Sequence, residues 1–250
     1  MLEDVQKLHG KLLHASLVIP RGHAYLTELE AMISTFSNQP FKPRTPPPHR
    51  LSSDLAWWTT CLSSPSCSCP ILGPFPLANH GAYSDASSST GIGIIIAGQW
   101  RAWRLLPGWD QDGRDIGWAE AIGFEFLAIS LAKLHPTGGH FKVFGDNRGV
   151  VEGWWKGRSR NRATNGVFRR ILELQEKWPG TLHTRYVPSG HNPADELSHG
   201  IYGPSHCILP AIPIPVEIQH IVVDFDAERT PTEQRLLISG HQPAPSPKPA

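Results

Sequence analysis

Four acidic residues lie near the ends of predicted strands and helices in the middle of the chain: Asp85, Glu120, Asp146 and Asp195. Acids so far apart in the sequence can meet only if a fold brings them together. Carboxylate oxygens are the ligands that Mg²⁺ prefers in proteins, and a set of acids without a thiol partner suits that ion. If the four side chains converge, they therefore predict a magnesium site.

The segments around these acids predict a series of strands and helices. Asp85 stands just before the apolar run Gly91–Ile96, as at a strand that turns into its hairpin neighbour. The full order is strands at 82–86, 92–98 and 100–105, a helix at 116–134, a strand at 140–145, helices at 147–155 and 163–178, a strand at 182–187 and a helix at 193–199. Short turns imply antiparallel pairing and helical connections imply parallel pairing, so we expect an α/β fold with a mixed five-stranded sheet flanked by helices.

Four motifs in this order resemble one known family: Asp85-Ala86-Ser87, a glutamate-bearing helix, Gly145-Asp146-Asn147, and Asn192-Pro193-Ala194-Asp195-Glu196-Leu197-Ser198. The family is the ribonuclease H domain of retroelement reverse transcriptases, of the DIRS-like (tyrosine-recombinase) retrotransposon type, and the resemblance covers about residues 81–200. It implies a ribonuclease H-like fold. It also implies a magnesium-dependent endonuclease that hydrolyses the RNA strand of RNA/DNA hybrids.

The resemblance implies a role for each acid as well. Asp85, Glu120, Asp146 and Asp195 would be both the catalytic residues and the ligands of two Mg²⁺ ions, with Mn²⁺ as a substitute. Asp85 would bridge the two ions, and Asp195 would hold the ion that activates water. Glu120 and Asp146 would complete the site nearer the leaving group. Two such ions can serve the nucleophile, the transition state and the leaving oxygen of phosphodiester hydrolysis.

Two assignments within this family stay open. Glu120 and Glu125 lie five residues apart, about 140° around a helix, so they cannot share one face. Glu120 is preferred because it lies near the helix end that would abut the strand ends, whereas Glu125 resembles another version of the family motif.

His191 lies in the loop before the last acid, where the family often carries a histidine that helps product leave. The loop is short here, and an incidental role for His191 is the alternative.

A basic segment follows Trp154-Trp155 and contains Lys156, Arg158, Arg160 and Arg162. Such a run is often the solvated end of a helix, but its interleaving with glycine and asparagine favours contacts with phosphates, which give no base specificity. We expect these cations, with Asn165 opening the next helix, to bind the DNA strand of a hybrid. Ser87 and Asn147 are the expected donors to the 2′-hydroxyl groups of the RNA strand.

Outside this region we expect a helical, connection-like segment at 1–62, a linker at 63–80 and an irregular, partly disordered tail at 201–250, with a candidate strand at 218–225. The first segment should contain two amphipathic helices between Leu2 and about Phe36, and a third helix capped by Ser53. The chain contains no Tyr-x-Asp-Asp motif. We therefore expect a reverse transcriptase fragment that lacks the polymerase.

Composition limits the classes of protein that remain. The 250-residue chain has a formal net charge of +1, which argues against indiscriminate coating of nucleic acid. Its sequence has no apolar run long enough to cross a membrane, and its first residues do not form a signal peptide. Four cysteines without paired metal-binding spacing indicate reduced thiols in an intracellular protein, in the cytoplasm or the nucleus.

Two other functions compete with the nuclease. The first is a catalytically inert, nucleic-acid-binding remnant of the same fold, which the presence of all four acids disfavours because an unselected chain is free to lose them. The second is an integrase or a Holliday-junction nuclease, which the segment Asn192–Ser198 disfavours. Binding of a hybrid without cleavage in Mg²⁺ would select the inert remnant.

Overall fold

The computed structural model describes residues 2–38, 46–64, 76–229 and 231. Outside these residues lie most of the predicted linker at 63–80 and the last part of the predicted tail at 201–250, from 232 onward. Two of the four cysteines, Cys67 and Cys69, lie there as well.

A six-stranded mixed sheet forms the centre of the molecule. Its strands are β1 (Leu77–Ala86), β2 (Gly91–Ile96), β3 (Gln99–Leu105), β4 (Gly139–Gly145), β5 (Gly180–Tyr186) and β6 (Val222–Asp224). The order across the sheet is β5-β4-β1-β2-β3-β6. Strands β1, β2, β3 and β6 pair antiparallel in turn, and β4 and β5 are parallel to β1.

The predicted α/β fold, a mixed sheet flanked by helices, is confirmed, but the predicted number of five strands is wrong. The sixth strand, β6, lies inside the region expected to hold at most a candidate strand at 218–225. Its three residues pair with the free edge of β3. An edge strand carries unpaired N–H and C=O groups, and a short added strand satisfies them.

Seven α-helices occur among the described residues: α1 (Leu2–Ala15), α2 (Thr27–Asn38), α3 (Leu51–Ser63), α4 (Ile116–Leu134), α5 (Arg148–Trp155), α6 (Arg162–Lys177) and α7 (Asp195–Ser198). Helix α4 has the predicted bounds because the side chain of Asp115 accepts a hydrogen bond from the Trp118 N–H, which starts the helix at the predicted residue. The predicted cap at Ser53 is wrong. Helix α3 begins at Leu51 and places Ser53 inside its first turn.

Helix α4 packs very closely against one face of the sheet. A Cβ atom added at Gly123 would lie 2.9 Å from the Ser84 Cβ atom of β1, so only glycine permits this approach. The isoleucines of β2 that point to this face, Ile92, Ile94 and Ile96, join α4 in the main hydrophobic core. The tight packing of α4 on β1 places the start of the helix beside the end of that strand.

Helix α7 lies on the other face of the sheet. A Cβ atom added at Gly93 of β2 would lie 2.5 Å from the Leu197 Cβ atom, so this contact also needs a glycine. Leu197 packs there with Trp100 and Ala102 of β3 in a separate hydrophobic cluster. The short helix α7 is therefore fixed against the sheet close to the end of β1.

The N-terminal helices form a cluster of their own that docks on α6. Leu12, Leu26, Leu29 and Trp58 are buried together, and Leu172 of α6 packs against them. Between α1 and α2 the chain forms a 3₁₀ helix at Pro20–Tyr25, where the sequence predicts a break. No helix among the described residues is long and apolar enough to cross a membrane.

Candidate active site

The parallel pairing of β1 and β4 brings two of the predicted acids together. Asp85 is the second-to-last residue of β1, and Asp146 directly follows β4. Neighbouring parallel strands end at the same edge of a sheet, so the two carboxylates meet there. Ligand oxygens of Asp85, Glu120 and Asp146 all lie within 4.8 Å of one another.

Glu120 reaches this cluster from α4, and Glu125 does not. Glu120 lies in the second turn of α4 and is 5% exposed, on the side of the helix that faces the ends of β1 and β4. Glu125 is buried elsewhere and accepts two hydrogen bonds of 2.7 Å from the Arg170 guanidinium. Of the two glutamates that the sequence left open, the structure places Glu120 with the other acids.

A second cluster adds the fourth acid. Asp195, the first residue of α7, offers a ligand atom that lies within 4.8 Å of those of Asp85 and His199. Asp85 therefore belongs to both clusters. His199 is absent from the predicted site, although its position one helical turn after Asp195 was a signal that could have found it. Imidazole does not suit Mg²⁺, so the carboxylates remain the better ligands for that ion.

Residues in and just before α7 donate hydrogen bonds to both oxygens of the Asp85 carboxylate. The Asn192 amide donates to Asp85 Oδ1 at 3.1 Å and to the Ser84 backbone carbonyl at 2.9 Å. The Ser198 hydroxyl donates to Asp85 Oδ2 at 2.5 Å. Ser189, in the loop between β5 and α7, donates to Asp146. One segment thus orients both strand-end acids.

The electrostatics of the cluster favour a bound cation. Burial, and then repulsion from Asp146 and Asp195, raises the pKa of Asp85 to about 7 in spite of the hydrogen bond from Ser198. Burial, together with the charges of Asp85 and Asp146, also raises the pKa of Glu120 well above its ordinary value. Within the described part of the chain, no lysine or arginine forms an ion pair with Asp85, Glu120 or Asp146. A divalent ion would supply the missing positive charge, and an all-oxygen donor set fits it.

The predicted basic segment runs from the end of α5 to the first residue of α6. Two of its four cations form ion pairs with N-terminal residues. Arg158 forms an ion pair with Glu30, and Arg162 pairs with the nearly buried Glu28 at 3.0 Å. Lys156 pairs with Glu152 of its own helix at 3.1 Å. Arg160 is exposed. Contact of this segment with nucleic acid stays a prediction.

One predicted phosphate contact is wrong. Asn165 does not open α6, because the helix begins at Arg162 and the Asn161 side chain caps it. Asn165 is buried and donates to the Ala24 carbonyl at 2.8 Å, against the N-terminal segment. A side chain used in this way cannot reach a phosphate.

The remaining predicted contacts lie around the acids. The Asn147 side-chain oxygen caps α5 by accepting a hydrogen bond from the Val150 N–H, which leaves its amide group for other partners. Ser87 is buried and hydrogen-bonds to Ser89 at 2.9 Å. His191 is exposed at the end of a 3₁₀ turn. The roles suggested for these three side chains stay predictions.

Comparisons with known proteins give two similar structures. No family model matches the chain, and no curated protein matches it. The chain is similar to ribonuclease H1 from the halophilic archaeon Halobacterium salinarum NRC-1, with 17% identity, 50% of this chain and 97% of that chain covered, and a TM-score of 0.35. It is also similar to the foamy viral protease-reverse transcriptase in complex with RNA/DNA hybrid, with 14% identity, 67% of this chain and 28% of that chain covered, and a TM-score of 0.34.

Proposed function

We propose that this chain is a magnesium-dependent endonuclease that hydrolyses the RNA strand of RNA/DNA hybrids, a ribonuclease H of retrotransposon origin. The observation that carries the proposal is Asp85, a buried acid shared by two clusters of possible ligands. The Asp85 carboxylate belongs to both clusters, and no lysine or arginine among the described residues neutralises its charge. Such a carboxylate suits a site that holds two cations side by side.

Each acid has a place in this proposal. Asp85 would help to hold both ions, Glu120 and Asp146 would help to hold one of them, and Asp195 would help to hold the other. The two sets of ligand atoms around Asp85 support this division. When bound, two divalent ions supply the positive charge that stabilises the transition state and lower the pKa of an attacking water.

The protein's own contribution is to hold the acids in position before the substrate arrives. Asn192 and Ser198 orient Asp85, and Ser189 orients Asp146. Oriented ligands reduce the reorganisation needed to bind metal and phosphate together. Exposed cations of the basic segment, such as Arg160, would contact the hybrid's backbone.

Cleavage of an end-labelled RNA/DNA hybrid by the purified chain in Mg²⁺ tests the proposal, with EDTA, single-stranded RNA and double-stranded DNA as controls. We expect cuts in the RNA strand of the hybrid alone, and none in EDTA. Asp146→Asn keeps the size of the side chain but removes its charge, and should lower the cleavage rate at least about 100-fold, since metal catalysis contributes several kcal/mol.

A matched control is Asp110→Asn, which changes an exposed acid in a turn and should cleave like wild type. Hybrid binding without cleavage by the folded wild-type chain would overturn the nuclease and select the inert remnant. Cleavage that persists in Asp146→Asn would remove Asp146 from the site.

A further inference from the structure

The two groups of ligand atoms that share Asp85 differ in their chemistry. The first group, Asp85, Glu120 and Asp146, offers carboxylate oxygens alone. The second group, Asp85, Asp195 and His199, offers carboxylate oxygens and one imidazole nitrogen. Within each group the ligand atoms lie within 4.8 Å of one another. The two positions on either side of the Asp85 carboxylate therefore present different donor sets to a cation.

Helix α7 brings Asp195 and His199 to the same place beside Asp85. Asp195 is the first residue of the helix, and His199 directly follows its last residue. Side chains four residues apart lie on one face of a helix, and two ligands with this spacing can hold one metal ion. Leu197 packs against Trp100 of β3, which fixes the helix on the sheet. The pair is thus held in position by packing.

Contacts within α7 orient the imidazole ring. His199 Nδ1 lies 2.9 Å from the Asp195 backbone carbonyl oxygen and 3.1 Å from the Ser198 hydroxyl oxygen. The same hydroxyl donates to Asp85 at 2.5 Å, so Ser198 lies between the ring and the shared carboxylate. Nδ1 is 4.0 Å from Asp195 Oδ2, which is too far for a hydrogen bond. Polar contacts of this kind orient imidazole ligands in metal sites.

The second group is open to solvent, whereas the first is buried. The side chains of Asp195 and His199 are 47% and 51% exposed. By contrast, Asp85 and Glu120 are 3% and 5% exposed. An ion held by the second group would keep water ligands on its open side and could exchange with ions in solution. Its identity is therefore set by which available ion binds these ligands most tightly.

The imidazole nitrogen changes which ion that is. Mg²⁺ prefers oxygen ligands, whereas imidazole suits transition ions, and the affinity of a mixed nitrogen and oxygen site rises along the first row from Mn²⁺ to Cu²⁺. Two carboxylates add the negative charge that any divalent ion needs. Within the described part of the chain, no lysine or arginine forms an ion pair with Asp85 or Asp195.

We propose that His199 is a metal ligand at the position it shares with Asp85 and Asp195, and that it makes this position prefer a divalent transition ion to Mg²⁺. The all-oxygen position keeps its preference for Mg²⁺. In Mg²⁺ alone both positions take Mg²⁺, and a transition ion replaces it at the second position only. The inference deepens the proposed function and rests on it for the existence of two ion positions.

Co²⁺ bound to the full chain, without nucleic acid and in millimolar Mg²⁺, tests this preference. An imidazole on Co²⁺ gives a strongly shifted, solvent-exchangeable N–H resonance in the proton NMR spectrum, which carboxylate ligands do not give. We expect wild type to show such a resonance and His199→Ala to lose it. His14→Ala is the matched control, because His14 is exposed in the last turn of α1, and it should keep the resonance.

Calorimetric titrations of the same proteins measure the preference. His199→Ala should bind Co²⁺ about tenfold or more weakly than wild type, with nearly unchanged affinity for Mg²⁺. Glu120→Gln distinguishes the two positions, because Glu120 belongs to the first group alone. It should weaken Mg²⁺ binding and keep the shifted imidazole resonance.

Equal Co²⁺ affinities of wild type and His199→Ala, or a resonance that survives in His199→Ala, would overturn the proposal. Melting curves in EDTA show whether the variants are folded, and His199→Gln replaces His199→Ala in both measurements if the alanine variant is not. Hybrid cleavage in Mg²⁺ by a chain that shows no imidazole resonance would refute this inference and leave the nuclease standing. A Co²⁺ resonance without cleavage would refute the nuclease and leave the metal ligand standing.

Discussion

The Ser198 hydroxyl donates a 2.5 Å hydrogen bond to Asp85 Oδ2, across 113 residues of sequence. Both residues are buried, and Ser198 has no exposed surface at all. The bond ties α7 to the end of β1. It also fixes the orientation of the acid that the two ligand clusters share.

Ser198→Ala should therefore weaken metal binding more than it slows catalysis. A hydrogen bond to a charged group contributes about 1.5–3 kcal/mol, so we expect the Mg²⁺ concentration for half-maximal cleavage to rise about tenfold or more. The rate at saturating Mg²⁺ should change much less, because all four acids are still present. A Mg²⁺ titration of hybrid cleavage measures both quantities.

Ser130→Ala is the matched control for this change. Ser130 is also buried, but its hydroxyl has no hydrogen-bond partner among the residues that the structure describes. Its removal should leave the Mg²⁺ titration unchanged. If Ser198→Ala titrates like Ser130→Ala, the hydrogen bond does not position Asp85 for metal.

The stability of the metal-free protein should fall as pH rises, because of Asp85. Its pKa is raised from 3.8 to about 7 in the folded state, mainly by burial. The folded state therefore binds the proton more tightly than the unfolded state does. Its contribution to stability is fully present below about pH 4 and is lost as pH rises through about 7.

Asp85→Asn, which mimics the protonated acid, isolates this contribution. In EDTA, the melting temperature of Asp85→Asn should exceed that of wild type by several degrees at about pH 8, with a much smaller difference at about pH 4. Added Mg²⁺ should stabilise wild type at the higher pH and not the variant. Parallel melting curves of the two proteins across this range would contradict the raised pKa.

The convergence of the acids could be predicted because their signals in the sequence are local. Asp85 stands just before the apolar run Gly91–Ile96, and Asp146 ends an alternating apolar run. Asp115 marks the start of α4 with a helix cap. The choice between Glu120 and Glu125 needed the structure, since only the position of Arg170 on another helix shows which glutamate is paired.

Long-range pairing explains what the sequence could not predict. Glu28 and Glu30 are ordinary acids on an N-terminal helix, and nothing in their surroundings indicates that they pair with Arg162 and Arg158. The short strand β6 lies within the candidate strand at 218–225, but the sequence could not show which strand it pairs with. It pairs with the free edge of β3.

Glu120 and Glu125 should respond oppositely to the same substitution. Glu125→Gln breaks a buried ion pair with Arg170, which costs about 3 kcal/mol and should lower the melting temperature by about 5–10 °C while cleavage at low temperature survives. Glu120→Gln removes a charge that burial and neighbouring acids oppose. It should leave the metal-free melting temperature equal or higher and lower cleavage at least about 100-fold.

Melting curves in EDTA and single-turnover cleavage of the hybrid in Mg²⁺ measure the two effects on the same samples. The assignment of Glu120 fails if Glu120→Gln cleaves like wild type. It also fails if Glu125→Gln is stable and inactive, since that combination would make Glu125 the catalytic acid.

Arg160 should contribute more to hybrid binding than Arg158, although both lie in the basic segment. Arg160 is exposed, whereas Arg158 forms an ion pair with Glu30. Each phosphate contact adds about 0.9 to the slope of log affinity against log salt. Arg160→Ala should therefore reduce the slope by about 0.9, and Arg158→Ala by clearly less, in anisotropy measurements of a labelled hybrid in EDTA.

Glu30→Gln provides the complementary test, because it would release Arg158 from its carboxylate partner. If the N-terminal acids limit the cations available to the substrate, this variant should bind the hybrid more tightly and show a steeper salt slope than wild type. Arg21→Ala, which removes a cation paired with Glu176 outside the basic segment, is the control and should leave the slope unchanged. Equal losses in Arg158→Ala and Arg160→Ala, with no gain in Glu30→Gln, would show that the ion pair with Glu30 does not compete with the hybrid.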